Sequence, residues 1–302
     1  MADGVSRPGL PPAPRRAPQG DGATDPRGAP EATTAPPHAE DDPREDVADR
    51  ILDRVRRPWL TLGLVSALVT WHGVVGGVLY QRGQVDLVGV LVARRPRPLL
   101  RRCGAMASAR IEDGELWRLV SSGFLHIDGL HLLLNGLALI ALGRICEAVY
   151  GATRTLWMFV LCSLCGAGLS WASGNPLSAG ASSAVFGFMG AAIVFGWRHG
   201  RALPDRASTF FRWKLLPWLI LNLVLGFLPF IDAVAHVGGL LGGTAAALLL
   251  GNVVVPGPAR RVRFPWAMAA ATALLLLWAA AGVAGKWFDL PGSHGLGPAG
   301  SP

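Results

Sequence analysis

Groups able to move a proton or attack a carbonyl are scarce in the apolar part of this chain, and they gather at three places. His126, His131 and Asn135 form an H-x4-H-x3-N pattern, with His131 and Asn135 four apart and therefore on one helix face. Gly180-Ala181-Ser182-Ser183 sets a serine at a predicted helix start after a flexible glycine. Ala235-His236-Val237-Gly238-Gly239 sets a histidine one turn into another predicted helix. In hydrocarbon such groups are functional candidates by default. A hydroxyl attacks a carbonyl only when a base within about 3 Å takes its proton, and histidine has the proton affinity for that near neutrality. The developing oxyanion needs donors, for which Asn135, His131 and the Ser182 backbone N–H are candidates.

Other polar groups have plainer readings. Ser163, Ser170 and Ser173 are expected to bond a carbonyl of the preceding helical turn. His38, His72, His199 and His294 read as ordinary surface or interface histidines, and Asp232, four residues before His236, as a solvated loop residue rather than the third member of a triad. Arg144 and Glu147 read as a local i,i+3 pair. Cys103, Cys146, Cys162 and Cys165 have neither metal-ligand spacing nor a disulfide framework and read as packing residues. No H-E-x-x-H occurs and no carboxylates pair, which disfavours zinc and aspartyl chemistry. No metal or cofactor is implied.

The elements that must position these groups follow from composition. Of 302 residues 51% are hydrophobic and only 16% charged, against about 25% charged in a soluble domain. Residues 1–57 hold eleven of the twenty acids, and residues 1–50 ten of the 23 prolines, so this stretch reads as a disordered tail. No apolar h-region precedes Trp59, which argues against a cleaved signal peptide. A membrane-spanning helix needs about 20 apolar residues, and seven predicted spans satisfy this: 58–81, 129–143 with 126–128 as its polar entry, two from the 43 uncharged residues 155–197 broken at Gly174-Asn175-Pro176, 215–231, 233–259 and 264–285. No ten-residue alternation suggests a barrel. The predicted fold is an all-α polytopic membrane helix bundle, with 1–57 as tail, 58–259 as a six-helix core and 260–302 as a seventh helix and short tail.

Basic residues in short loops orient the bundle. With a cytoplasmic N-terminus, Arg54, Arg56, Arg57, Arg154, 198–214 and 260–263 lie inside, whereas 174–180 and the Asp232 turn carry no basic residue. Segment 82–125 dissents, with eight arginines against four acids; its length weakens the rule, and Val85–Ala93 is expected in the interface with arginines on headgroup phosphates. The clusters on the second, fourth and sixth spans then share the outer end. Gly239 and Gly243 follow His236 on its side of the sixth helix, and Ser183, Gly187 and Ala191 give the fourth a matching small face, so these two helices are expected to approach closely. The net charge of +8 is almost all arginine between apolar runs, a topology signal rather than a nucleic-acid surface.

Trp117-Arg118, His126-x4-His131-x3-Asn135, Gly180-x-Ser182 and Ala235-His236-x2-Gly239-x3-Gly243, in this order, resemble the rhomboid family of intramembrane serine proteases from about Gly114 to Gly251. The resemblance implies Ser182 as nucleophile, His236 as general base and acid, His131 and Asn135 as oxyanion-hole donors, and the branch with six core helices plus one at the C-terminus. The family often has Gly after the nucleophile and Tyr four residues beyond it; here these are Ser183 and Phe186, which keeps aromatic stacking on the histidine but not the phenol. Partners implied are the lipid bilayer and transmembrane segments of other proteins, in the bacterial cell membrane. Two alternatives stay open: an inert rhomboid-like protein that binds membrane helices, and a small transporter, for which no inverted repeat is visible.

Overall fold

The computed structural model describes residues 42–226, 228, 231–256 and 265–288. In chain order its α-helices are α1 Pro43–Val55, α2 Trp59–Gln81, α3 Gly89–Val92, α4 Arg97–Arg102, α5 Ser108–Glu112, α6 Arg118–Ser121, α7 Gly129–Tyr150, α8 Ala152–Ala172, α9 Ser182–His199, α10 Asp205–Thr209, α11 Leu215–Leu225, α12 Ala233–Leu249 and α13 Pro265–Phe288. The described residues hold no strand, only an isolated backbone pairing of Met106 with Ser178. The chain is an all-α polytopic helix bundle of a multi-pass membrane protein.

Each of the seven predicted spans has its helix: α2, α7, α8, α9, α11, α12 and α13. By length and composition alone, four stretches among the described residues are long and apolar enough to cross a bilayer, namely Pro43–Gln81, Gly129–Tyr150, Ala152–Ala172 and Trp266–Trp287. Of the shorter ones, α9 and α12 are inner helices, whereas α11 leaves Trp218, Ile220 and Val224 exposed. A helix sheathed by others need not hide its whole length in hydrocarbon, and α9 is buried at Ser183–Ala192. Helix α11 lengthens α10 through a π-helical turn at Phe210–Lys214, so helical backbone runs unbroken from 205 to 225.

Several expectations need correction. The tail is not unstructured up to residue 57: α1 starts at Asp42, whose side chain accepts from Arg44 N, with Pro43 next and Glu45 and Asp46 in the first turn, a start signal at every position. Val47 and Ile51 then bury one side of α1 in the main core; residues 1–41, His38 included, lie outside the described residues, as does His294. The second span runs on past Gly143 to Tyr150 and turns into α8 through Gly151 alone (φ 81°). The sixth stops at Leu249, and Val253 N then donates to Val149 O at 2.8 Å; 257–259 lie outside the described residues. Glu147 makes no local pair with Arg144. Its carboxylate accepts from Leu60 N (3.0 Å), Thr61 N (2.9 Å) and Thr61 Oγ1 (2.8 Å), serving as an N-cap for α2 from 86 residues away.

Segment 82–125 is a folded loop and its arginines are not all at the surface. Arg95 and Arg118 are each 2% exposed. Arg95 donates to the carbonyls of Ala93 (2.6 Å) and Val90 (2.5 Å). Its Nη2 lies 2.9 Å from Nε2 of His72, itself 2% exposed and not a surface histidine. Arg118 donates to Glu115 and to the carbonyls of Arg101 and Ala105, with its guanidinium 4.5 Å from the Trp117 ring. Desolvation lowers the proton affinity of Arg118, an effect its bond to Glu115 opposes.

Candidate active site

Helices α8, α9 and α12 meet almost backbone to backbone, and glycine is what permits it. A Cβ on Gly239 would stand 2.1 Å from Ser183 O, one on Gly243 2.1 Å from Gly187 O, and one on Gly166 2.2 Å from Ser183 Oγ and 2.7 Å from Ala235 O. Real Cβ atoms do not come so close, so any side chain here pushes the helices apart. The small faces expected on α9 and α12 are the contact at Ser183, Gly187, Gly239 and Gly243, whereas Ala191, fully buried, accepts the Tyr150 hydroxyl of α7 at its carbonyl.

This approach sets the register of two side chains. Ser182 opens α9, and Nε2 of His236, one turn into α12, lies 3.0 Å from Ser182 Oγ. Phe186, one turn beyond Ser182, stacks on the His236 ring at 4.3 Å between centroids and 15° between planes. With the ring fixed on one face and the hydroxyl at its edge, the imidazole is oriented to accept the serine proton. The first intrahelical bond of α9 is Val185 N to Ala181 O (3.1 Å). The N–H groups of Ser182, Ser183 and Ala184 therefore point out of the helix start, at the positive end of its dipole.

Gly180 is required twice. Its φ of +139° disfavours a side chain, and a Cβ would lie 2.8 Å from His131 Cε1. His131 thus borders the loop that delivers Ser182; its backbone N–H caps on Asp128 Oδ1 (2.8 Å). Asn135 is 7% exposed and donates to His131 O (2.9 Å), which leaves its second N–H. His126 stands apart from the Ser182–His236 pair: it is 1% exposed, its ring meets His131 edge-on at 5.2 Å, and neither ring nitrogen has a partner among the described residues. The loop before Ser182 is pinned by Gly180 N to Ser122 O (3.0 Å), by Met106 and Ser178 (3.0 and 2.9 Å), and by Ser108 Oγ to Asn175 O (2.6 Å).

Ser183 does not share the pairing. It is 5% exposed and donates to Ala235 O at 3.2 Å, a packing bond between α9 and α12. Asp232 is half-buried, and both its carboxylate oxygens are bonded to groups other than the His236 ring. One carboxylate oxygen caps α12 through Ala235 N (3.0 Å) and the other receives the Ser170 hydroxyl (2.5 Å). Ser170 accordingly departs from its expected carbonyl bond, whereas Ser163 and Ser173 make theirs, to Phe159 O and Ser170 O. His199 Nε2 meets Asn252 Nδ2 at 3.3 Å, and all four cysteines are free thiols. No group of three metal-ligating residues is found among the described residues.

Comparison with known proteins finds a rhomboid domain over residues 113–253, the stretch that holds Ser182, His236, Phe186, His131, Asn135 and His126. The chain thus carries a rhomboid domain. Among its relatives, RHOMBOID-like protein 5 of Arabidopsis thaliana is 35% identical over 149 residues, 48% of each chain. Rhomboid protease GluP of Bacillus subtilis is 36% identical over 149 residues, 49% of this chain and 29% of that one. Rhomboid-like protease 1 of Toxoplasma gondii is 31% identical over 183 residues, 59% of this chain and 61% of that one. The chain thus spans between 29% and 61% of these relatives' length.

Proposed function

We propose that this chain is an intramembrane serine endopeptidase that cuts transmembrane segments of other proteins by a Ser182–His236 dyad. The observation that carries the reading is the 3.0 Å contact between His236 Nε2 and Ser182 Oγ, with Phe186 stacked on the ring. Ser182 Oγ adds to the substrate carbonyl as its proton passes to His236 Nε2, giving a tetrahedral oxyanion. Collapse breaks the C–N bond, and the imidazolium returns the proton to the leaving amine. Water, deprotonated by the same imidazole, then adds to the acyl-enzyme; collapse releases the new carboxyl group and restores the serine. The N–H groups at the start of α9 are the backbone donors to the oxyanion, and His131 and Asn135 the side-chain donors.

The named proteases among the relatives support an enzyme over an inert helix binder. The arginine distribution supports a cytoplasmic N-terminus and a site at the outer end of the bundle. A helix resists proteolysis through its own hydrogen bonds, so the substrates are segments with Gly, Pro or polar residues that unwind near the outer boundary.

The test is labelling of the detergent-solubilised chain with a fluorophosphonate. Wild type and Ser183→Ala should label and Ser182→Ala should not; a wild type that stays unlabelled favours the inert reading. Labelling lost in Ser183→Ala and kept in Ser182→Ala would move the nucleophile by one residue. Asn135→Ala should still label, with cleavage of a transmembrane reporter slowed by about 10²-fold, as for one lost oxyanion donor.

A further inference from the structure

Two cavities outside the Ser182–His236 site share two walls. The first, about 640 Å³, is cationic: Arg101, Arg102, Arg110, Arg118 and Lys286 line it against Glu112 alone among the acids. The second, about 500 Å³, is almost wholly apolar, with Trp71, Phe124, Val283, Ala284 and Trp287 on its walls. Helix α13 passes from one to the other, since Lys286 lines the first while Val283, Ala284 and Trp287 line the second. Helix α6 does the same with Arg118 and Ser121. The apolar cavity is a groove between α2 and α13, bridged at its end by the Trp71–Trp287 pair, 5.6 Å between ring centroids.

Within the cationic cavity the charges are unevenly used. Glu115 takes Arg118 and Lys286, the latter at 3.1 Å, and Arg110 reaches Asp113 at 3.7 Å. Arg101 and Arg102 are exposed, and neither side chain has a hydrogen bond or ion pair among the described residues. A pair of unpartnered guanidiniums beside an apolar groove in a membrane protein asks for a ligand with an anionic head and a hydrocarbon tail. We infer that Arg101, Arg102 and Lys286, with the α2–α13 groove, bind one anionic phospholipid, its phosphate on the guanidiniums and an acyl chain along Val283, Ala284 and Trp287. Guanidinium suits phosphate because its N–H fork meets two oxygens at once, and the groove keeps the chain from water. The inference is independent of the proposed protease chemistry, and no activity enters its test.

The experiment is native mass spectrometry of the delipidated full chain after adding back phosphatidylglycerol or phosphatidylcholine with identical acyl chains. Wild type should retain one phosphatidylglycerol in preference to phosphatidylcholine. The double variant Arg101→Gln/Arg102→Gln should weaken phosphatidylglycerol retention by about tenfold. Ala284→Phe, at an exposed α13 position inside the groove, should weaken both lipids together. Equal retention of the two lipids by wild type, or wild-type retention in the arginine variant, overturns the headgroup site. Wild-type retention in Ala284→Phe overturns the groove. Displacement of phosphatidylglycerol by glycerol phosphate at equal concentration would show a site for free phosphate and overturn the lipid.

Discussion

Glycines of α12 and glycines of α2 are in the same kind of helix for opposite reasons. At Gly239 and Gly243 an added methyl would collide with the backbone of α9, whereas at Gly63, Gly73 and Gly77 nothing lies within 4 Å. The contrast is sharp even between neighbours, since a Cβ on Gly76 would meet Val90 O at 2.1 Å and one on Gly77 would meet nothing. The inner α8, α9 and α12 are held by backbone approach, which fixes side-chain register to a fraction of an ångström. The outer helices leave more of their surface uncovered: only 17% of the apolar window of α13 is buried. Chemistry that depends on a 3.0 Å contact belongs on the first kind of element, and this chain puts Ser182 and His236 there.

The contrast predicts a ladder of effects. At the top, Ser182→Ala and His236→Ala should each bring reporter cleavage to the uncatalysed background, and the double variant should be hardly worse than either single, because the two act as one unit. Additive losses would mean that the two residues work separately. Next, Gly239→Val should cost several kcal/mol in reversible unfolding, as overpacking against a backbone does, and should also abolish fluorophosphonate labelling in whatever protein still folds. Leu277→Ala on α13, at a position 66% exposed, should stay near wild type on both measures, and equal losses from the two changes would erase the distinction between inner and outer helices.

A smaller effect is expected where α13 joins the loop. Partial burial raises the proton affinity of the Glu115 carboxyl, but Arg118 and Lys286 outweigh it and hold the group below the ordinary carboxylate range. A depressed folded-state value contributes stability above the unfolded value, lost as pH falls through the folded one. Glu115→Gln should therefore lower stability by about 2 kcal/mol near neutrality, since it leaves Arg118 buried with one partner fewer. The gap from wild type should close on acidification, and a pH-independent gap would assign the loss to packing. Smallest of all, Gly77→Ala should raise stability by about 0.5–1 kcal/mol through helix propensity alone, measured as a higher denaturation midpoint.

The helices and the Ser182–His236 pairing were legible because both are written in local patterns: uncharged length, four-residue spacing, glycine at contact positions. What stayed hidden depends on partners distant in sequence. Glu147 resembles half of a local pair until Thr61, 86 residues earlier, is placed against it. Asp232 resembles a loop acid until Ser170, 62 residues earlier, arrives beside it. The buried Arg95 and His72 escaped for the same reason, their contact being set by how the loop folds back on α2. Helix α1 was the avoidable miss. Asp42-Pro43 with Glu45 and Asp46 is a complete start signal, hidden only by averaging it into a proline-rich neighbourhood.

The Ser182–His236 contact joins residues 54 apart, with the whole of α10 and α11 between them. Ribosomes deliver these segments in order, so a nascent chain whose serine helix has already entered the membrane still lacks its imidazole. On the proposed mechanism every newly made copy is born inert and stays so until α12 slots between α8 and α9, glycine against backbone. Biosynthesis itself thus supplies a safety interval, during which neighbouring membrane segments leaving the same insertion machinery cannot be cut.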